Sequence, residues 1–274
     1  MPGRLPGRAA GSLPRRPGVG RLAVAQHRVR DRCDALGDSR QGDGGSVKVL
    51  EVIEAGTIPY AEALDWQRQL AEDRIAGRLP HDVLLLLEHP PVVTLGRNSH
   101  VGNLLEPSGI EVFEVERGGD VTFHGPGQLV GYPILDLSAY KRDLHWYLRT
   151  LEQALIAALA VLDIPAERNA GFTGVWTRGR KIASIGIHVK QWVTWHGFAL
   201  NVTTDLAHFD RIVPCGIQGV EMTSVERETV KGKRERLWDE SVGAVIAGFE
   251  NAFGVSVIPS PEGAARQEHA SLRT

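Results

Sequence analysis

Cysteine is nearly missing from this chain: its 274 residues contain two, Cys33 and Cys215. Two cannot build a disulfide scaffold, and their scarcity suits a reducing compartment. Aromatic residues are sparse at 6%, and no apolar run approaches the roughly 20 residues a membrane-spanning helix requires. A charged-then-apolar leader of the secretory kind is not found, so the expected location is the cytoplasm. The net charge is only −2, which argues against a nucleic-acid or membrane-surface partner. Neither G-x-x-x-x-G-K-[ST] nor G-x-G-x-x-G occurs, so nucleotide binding has no support. No His/Cys spacing matches a zinc site either. What remains is an ordinary apolar content of 42%, enough for a real folded core.

Composition changes near residue 46. Residues 1–45 hold nine arginines, four aspartates and four prolines (Pro2, Pro6, Pro14, Pro17), with no aromatic residue. Such a stretch buries too little apolar surface to offset its ordering entropy, so residues 1–46 read as a disordered extension. Two alternatives are a transit peptide, which the prolines and few serines argue against, and a translation start near Val47. A catalytic domain is expected over residues 47–258 and a frayed tail over 259–274.

Within the domain, residues 47–53, 82–87 and 92–95 read as strands and residues 61–75 as a helix. Residues 120–137 read as two strands joined at the Gly125-Pro126-Gly127 turn. Leu144, Leu148, Leu151, Leu155, Leu159 and Leu162 mark the clearest helix, with Asp143 as its N-cap. Residues 181–190 and 195–202 read as neighbouring strands, and residues 222–227 as an edge strand. Trp238, Val242, Val245 and Phe249 share one stripe of a last helix. The expected fold class is α/β (α+β), a single domain around one mixed sheet system.

A few residues could carry chemistry. Cys215, in Val213-Pro214-Cys215-Gly216-Ile217, lies on a tight turn that can hold a nucleophile exposed, although cysteines are often buried and inert. In Arg117-Gly118-Gly119-Asp120-Val121-Thr122-Phe123-His124, adjacent glycines let backbone N–H groups face a ligand, and Arg117 can pair with an anion. The same segment also reads as a plain hairpin. Strand alternation puts Lys181 on the face of Ala183, Ile185 and Ile187, where lost water favours its neutral, proton-accepting form. A lysine at a strand end can instead reach back to solvent. Ser184 and Gly186 take the opposite phase, and Gly197 and Ala199 sit on the next strand. These small residues leave room for a slender acyl chain, or else mark a close backbone crossing. His89 and His124 suit either a contact to a carbonyl or thiolate or a structural hydrogen bond.

Taken together, four blocks resemble the lipoyl(octanoyl) transferases, the lipoate–protein ligase B family. They are Arg117 to Gln128, Arg180 to Ile187, Trp195 to Val202 and Pro214 to Ile217, in the family's order, with 34 residues from Lys181 to Cys215. The resemblance implies a fold like the catalytic core of biotin and lipoate ligases. It implies transfer of an octanoyl (or lipoyl) group from acyl carrier protein to a lysine ε-amine. The acceptors would be lipoyl domains of 2-oxoacid dehydrogenase complexes and the glycine cleavage H protein. Cys215 would hold the acyl thioester and Lys181 would move protons. Arg117–His124, Ser184, Ile185, Gly186, Gly197, Phe198 and Ala199 would line the substrate site, with no cofactor and no metal. An ATP-dependent lipoate or biotin ligase would need a nucleotide loop, and a non-catalytic binding protein would tolerate Cys215→Ser.

Overall fold

The run Val83–Leu87 has no polar residue to turn toward water, so a strand built from it must be covered on both faces. A computed structural model describes residues 48–105, 109–229 and 236–260 and places that run at the heart of a sheet. The expectation for residues 1–46 lies outside the described residues, as does the tail beyond Ser260.

The chain order begins β1 (Lys48–Thr57), α1 (Tyr60–Ile75), β2 (Asp82–Glu88), β3 (Val92–Leu95) and β4 (Glu111–Glu114). It continues with β5 (Val121–His124), β6 (Gln128–Ile134), α2 (Leu144–Val161), β7 (Val175–Thr177) and β8 (Arg180–Lys190). β9 (Val193–Asn201), α3 (Val225–Glu228), α4 (Leu237–Phe253) and β10 (Val255–Pro259) complete it. Seven strands form a mixed sheet in the order β10-β1-β2-β6-β9-β8-β7, and three form a small sheet, β4-β3-β5. Leu84 and Leu86 of β2 join the core under α2 and α4, while Val83, Leu85 and Leu87 pack with Ala63, Leu70 and Ala71 of α1. Alternation along one strand thus fills both layers. Asp143 caps α2 as expected, its carboxylate accepting from Trp146 N at 3.0 Å. No helix among the described residues is long and apolar enough to cross a membrane.

Several expectations need correction. The sheet system is two sheets rather than one. β5 and β6 do not form a hairpin: β5 pairs with β3 in the small sheet, and β6 pairs with β2 and β9 in the large one. The Gly125-Pro126-Gly127 turn is tied elsewhere, with Gly127 N–H donating to Glu88 Oε1 at 2.6 Å and Gly127 O accepting from Val202 and Thr203. Residues 222–227 are not an edge strand. Met222 makes one bridge to Lys181, and the chain then turns into the short helix α3, capped by Ser224. β10, β7 and β4 were not anticipated; β10 carries strand structure through Pro259, past the expected boundary at 258.

Candidate active site

Lys181 owes its position to one extra residue. Val175 pairs with Ala183, yet Trp176 pairs with Lys181, so β8 fits one more residue than β7 between these pairs. Such a bulge reverses the side-chain phase. Ile182 and Ala183 both enter the core under α2 and α4, and Lys181 turns to the other side. The expected company of Lys181, the Ala183–Ile187 face, is therefore corrected: it shares its side with Ser184. Lys181 Nζ donates to Cys215 Sγ at 3.0 Å, and Ser184 Oγ lies 3.8 Å from the same sulfur. Lys181 is fully buried. Its Nζ sits 5.0 Å from the centre of the Trp176 ring, and a Cβ at Gly174 would come within 2.9 Å of its Cε. Among the described residues no carboxylate forms an ion pair with it.

Cys215 stands on a 3₁₀ turn, Pro214–Gly216, with φ 55° and ψ 20°, a left-handed conformation that strains a residue with a side chain. The surroundings impose it. Gly216 N–H donates to Val213 O at 3.0 Å, and Val213 N–H to Asn103 O at 2.8 Å. Asn103 Nδ2 in turn donates to Asp120 Oδ2 at 2.6 Å. A Cβ on Gly216 would come within 2.5 Å of that same oxygen. Asp120 thus props the turn that carries Cys215.

A cavity of about 190 Å³ opens beside the sulfur. Of the expected lining, it gathers Arg117, Gly119, Asp120, Thr122, His124, Ser184, Ile185, Gly186, Gly197, Phe198 and Ala199. Gly118, Val121 and Phe123 stay out of it. Gly118 N–H bonds Ile187 O at 2.8 Å, while Val121 and Phe123 pack with Val93, Leu206 and Phe209. Strand alternation across β5 accounts for this division. The glycines Gly186 and Gly197 serve close crossings rather than empty space. A Cβ at Gly186 would lie 2.8 Å from Gly118 O, and one at Gly197 would collide with Gly131 O. Ala199, with a single side-chain carbon, also lines the cavity.

Arg117 is buried, and its guanidinium donates to Thr94 O at 2.7 Å, Thr94 Oγ1 at 2.9 Å and Gly118 O at 3.0 Å. Burial pushes it down from its ordinary value. The two histidines are held neutral by burial, His89 at about 4 and His124 at about 3. His89 Nδ1 donates to Ile58 O and its Nε2 accepts from Tyr132 Oη, both at 2.7 Å. His124 Nδ1 donates to Gln128 Oε1 at 2.7 Å. Sequence reasoning missed Tyr60, Tyr132, Gly171, Phe172, Thr173, His196 and Ile217, which also line the cavity. The Gly171-to-Gly174 spacing was a loop signal, and His196 and Ile217 lie inside the Trp195-to-Val202 and Pro214-to-Ile217 blocks.

Residues 59–250 match the model of the lipoyl protein ligase A/B catalytic domain. The chain belongs to that family. Among its relatives is the octanoyltransferase of Gloeobacter violaceus, 62% identical over 167 residues, covering 61% of this chain and 75% of the relative. The octanoyltransferase of Geobacter sulfurreducens is 53% identical over 200 residues, covering 73% and 84%. Solved structures of lipoyl protein ligase type share the fold. A T. acidophilum lipoate protein ligase with bound lipoic acid gives a TM-score of 0.58 at 16% identity, over 81% of this chain and 94% of that one. Lipoate-protein ligase A bound with ATP gives 0.55 at 16% identity, over 81% and 93%.

Proposed function

We propose that the chain moves an octanoyl group from acyl carrier protein to the ε-amine of a lipoyl-domain lysine, through a thioester on Cys215. That the chain is an acyltransferase follows from its octanoyltransferase relatives, at 62% and 53% identity. The covalent route rests on one observation: a fully buried amine donates to the Cys215 sulfur at 3.0 Å, at the wall of a cavity of about 190 Å³.

In the first step Cys215 sulfur attacks the donor carbonyl carbon as Lys181 holds the proton. The new C–S bond forms, the bond to the carrier sulfur breaks, and the carrier thiolate takes the proton from Lys181. In the second step the acceptor amine attacks the enzyme thioester. Neutral Lys181 takes its proton as general base, and the Cys215 sulfur leaves. Exchange between two thioesters is near balance, and the final amide is more stable than either. The reaction therefore runs downhill without a nucleotide. The cytoplasm is the proposed compartment, because the sulfur must stay reduced to work.

A purified mixture of this protein, octanoyl-carrier protein and a lipoyl domain, with no nucleotide, tests the reading. The lipoyl domain should gain the mass of one octanoyl group on its acceptor lysine. A strict requirement for ATP would contradict the proposal and favour a ligase mechanism.

A further inference from the structure

A short loop edges the mouth of the Cys215 cavity. Among the described residues that line the cavity, only Gly119 and residues 171–173 are exposed, so the opening to solvent runs past them. Both ends of the loop are tied to one buried carboxylate, that of Glu152 in α2. Arg168 Nε donates to Glu152 Oε2 at 3.0 Å, and Gly174 N–H donates to Glu152 Oε1 at 3.2 Å. Arg168 Nη2 adds bonds to Arg149 O and Gln153 Oε1, both at 3.0 Å. Residues 169–173 between the ties are exposed throughout, and Phe172 N–H closes a turn by donating to Asn169 O at 3.1 Å.

Phe172 is the side chain this loop presents. It lines the cavity yet stays 41% exposed, an apolar ring shared between the site and water. Its ring centre lies 6.4 Å from that of Trp176, the buried ring over which Lys181 Nζ sits at 5.0 Å. Phe172 thus stands on the solvent side of the amine–sulfur pair. The loop comes this close because residue 174 is glycine: its φ is +132°, and a Cβ there would lie 2.6 Å from Ala183 O. The position matters because an enzyme thioester has two fates. An amine can take the octanoyl group as described above. Water attacking the same carbonyl carbon would form a C–O bond and break the C–S bond, releasing octanoic acid as one water proton passes through Lys181 to the sulfur. Lys181 can act as base for either nucleophile, so the pair itself does not select the amine. Selection falls to the wall that decides which nucleophile reaches the carbon.

We propose that Phe172 is a specificity-determining residue of the second step: its ring closes the mouth against water and admits the slender methylene stem of an acceptor lysine along its face. The Glu152 clamp holds the loop that carries it, with Arg168 as a positioning residue. The inference rests on the acyl-thioester reading above.

The test is the lifetime of the acyl-enzyme. Protein loaded from octanoyl-carrier protein is freed of the donor, and intact mass follows loss of the octanoyl group with no acceptor present. Phe172→Ala, a change at an exposed side chain, should speed that loss by about tenfold as water enters. Phe172→Leu, still apolar, should stay within about threefold of wild type. Arg168→Ala, which frees one end of the loop, should move the rate in the same direction as Phe172→Ala. With a lipoyl domain then added, octanoic acid should gain on octanoylated lysine in Phe172→Ala. An unchanged acyl-enzyme lifetime in Phe172→Ala overturns the inference. So does a variant whose only defect is a need for more lipoyl domain, which would make Phe172 a docking contact. Failure of wild type to load at all contradicts the thioester reading, and this one with it, before any lifetime is measured.

Discussion

Replacing Lys181 with methionine separates its chemical role from its structural one. The side chain is fully buried between Gly174 and the Trp176 ring, and methionine fills nearly the same volume. Stability should change little. A swap of like volume opens no cavity and costs less than about 1.5 kcal/mol, to which loss of the cation–π contact contributes about 1 kcal/mol. Activity should collapse, because the variant removes the Nζ–H···Sγ bond of 3.0 Å and the amine proposed as the base. A positioned proton acceptor is worth about 10²–10⁴ in rate, or about 3–5 kcal/mol of barrier at 1.36 kcal/mol per decade. Steady-state octanoyl transfer and a thermal melt, on the same sample, read both quantities. Activity within about tenfold of wild type, or a stability loss above about 2 kcal/mol, would refute the assignment and make Lys181 a structural cation.

Other substitutions probe neighbouring links. Lys181→Arg keeps the charge but cannot release its proton in the working pH range. It should acylate Cys215 and then stall, accumulating as a thioester enzyme visible by mass; near-wild-type transfer would show that no base is needed. Ala199→Leu adds carbons to the cavity wall and should weaken octanoyl use by about 1–3 kcal/mol while favouring a six-carbon donor. Equal kinetics across six-, eight- and ten-carbon donors would move the groove elsewhere. Acid should loosen the fold through His89 and His124, whose native values near 4 and 3 lie below the unfolded value of 6.5. The unfolded chain then binds protons first. Stability is complete above about pH 6.5 and is lost as pH falls from there toward 4, by about 2 kcal/mol per histidine at pH 5. Urea unfolding free energies that agree at pH 7 and pH 5 would contradict the buried, neutral assignment.

Local periodicity made much of this fold legible. The leucine series from Leu144 to Leu162 and its Asp143 cap fixed α2, because both signals live within a few residues. The adjacency of β8 and β9 was readable for the same reason. The phase of Lys181 was not, since a single inserted residue in β8 reverses it and Ile182 carries no mark of being that residue. The turn at Gly125-Pro126-Gly127 has hairpin chemistry, but Glu88, Val202 and Thr203 hold it between two sheets, and those contacts come from distant segments. The site divides in a similar way. Turn and strand context left Cys215 and Lys181 open between inert and reactive readings, and the four-block resemblance singled them out, whereas the placement of His196 depends on a backbone twist held by Gln67, 129 residues away. Gly186 and Gly197 admitted two readings, room for a chain or a close backbone crossing, and packed neighbours show the crossing.

The thioester on Cys215 is the claim from which the rest descends. Incubating the protein with octanoyl-carrier protein alone, with no acceptor, and measuring the intact mass tests it most directly. The account predicts a gain of one octanoyl group, mapped by peptide digestion to Cys215 and missing in Cys215→Ala. Unchanged mass in an enzyme that still octanoylates the lipoyl domain would contradict it.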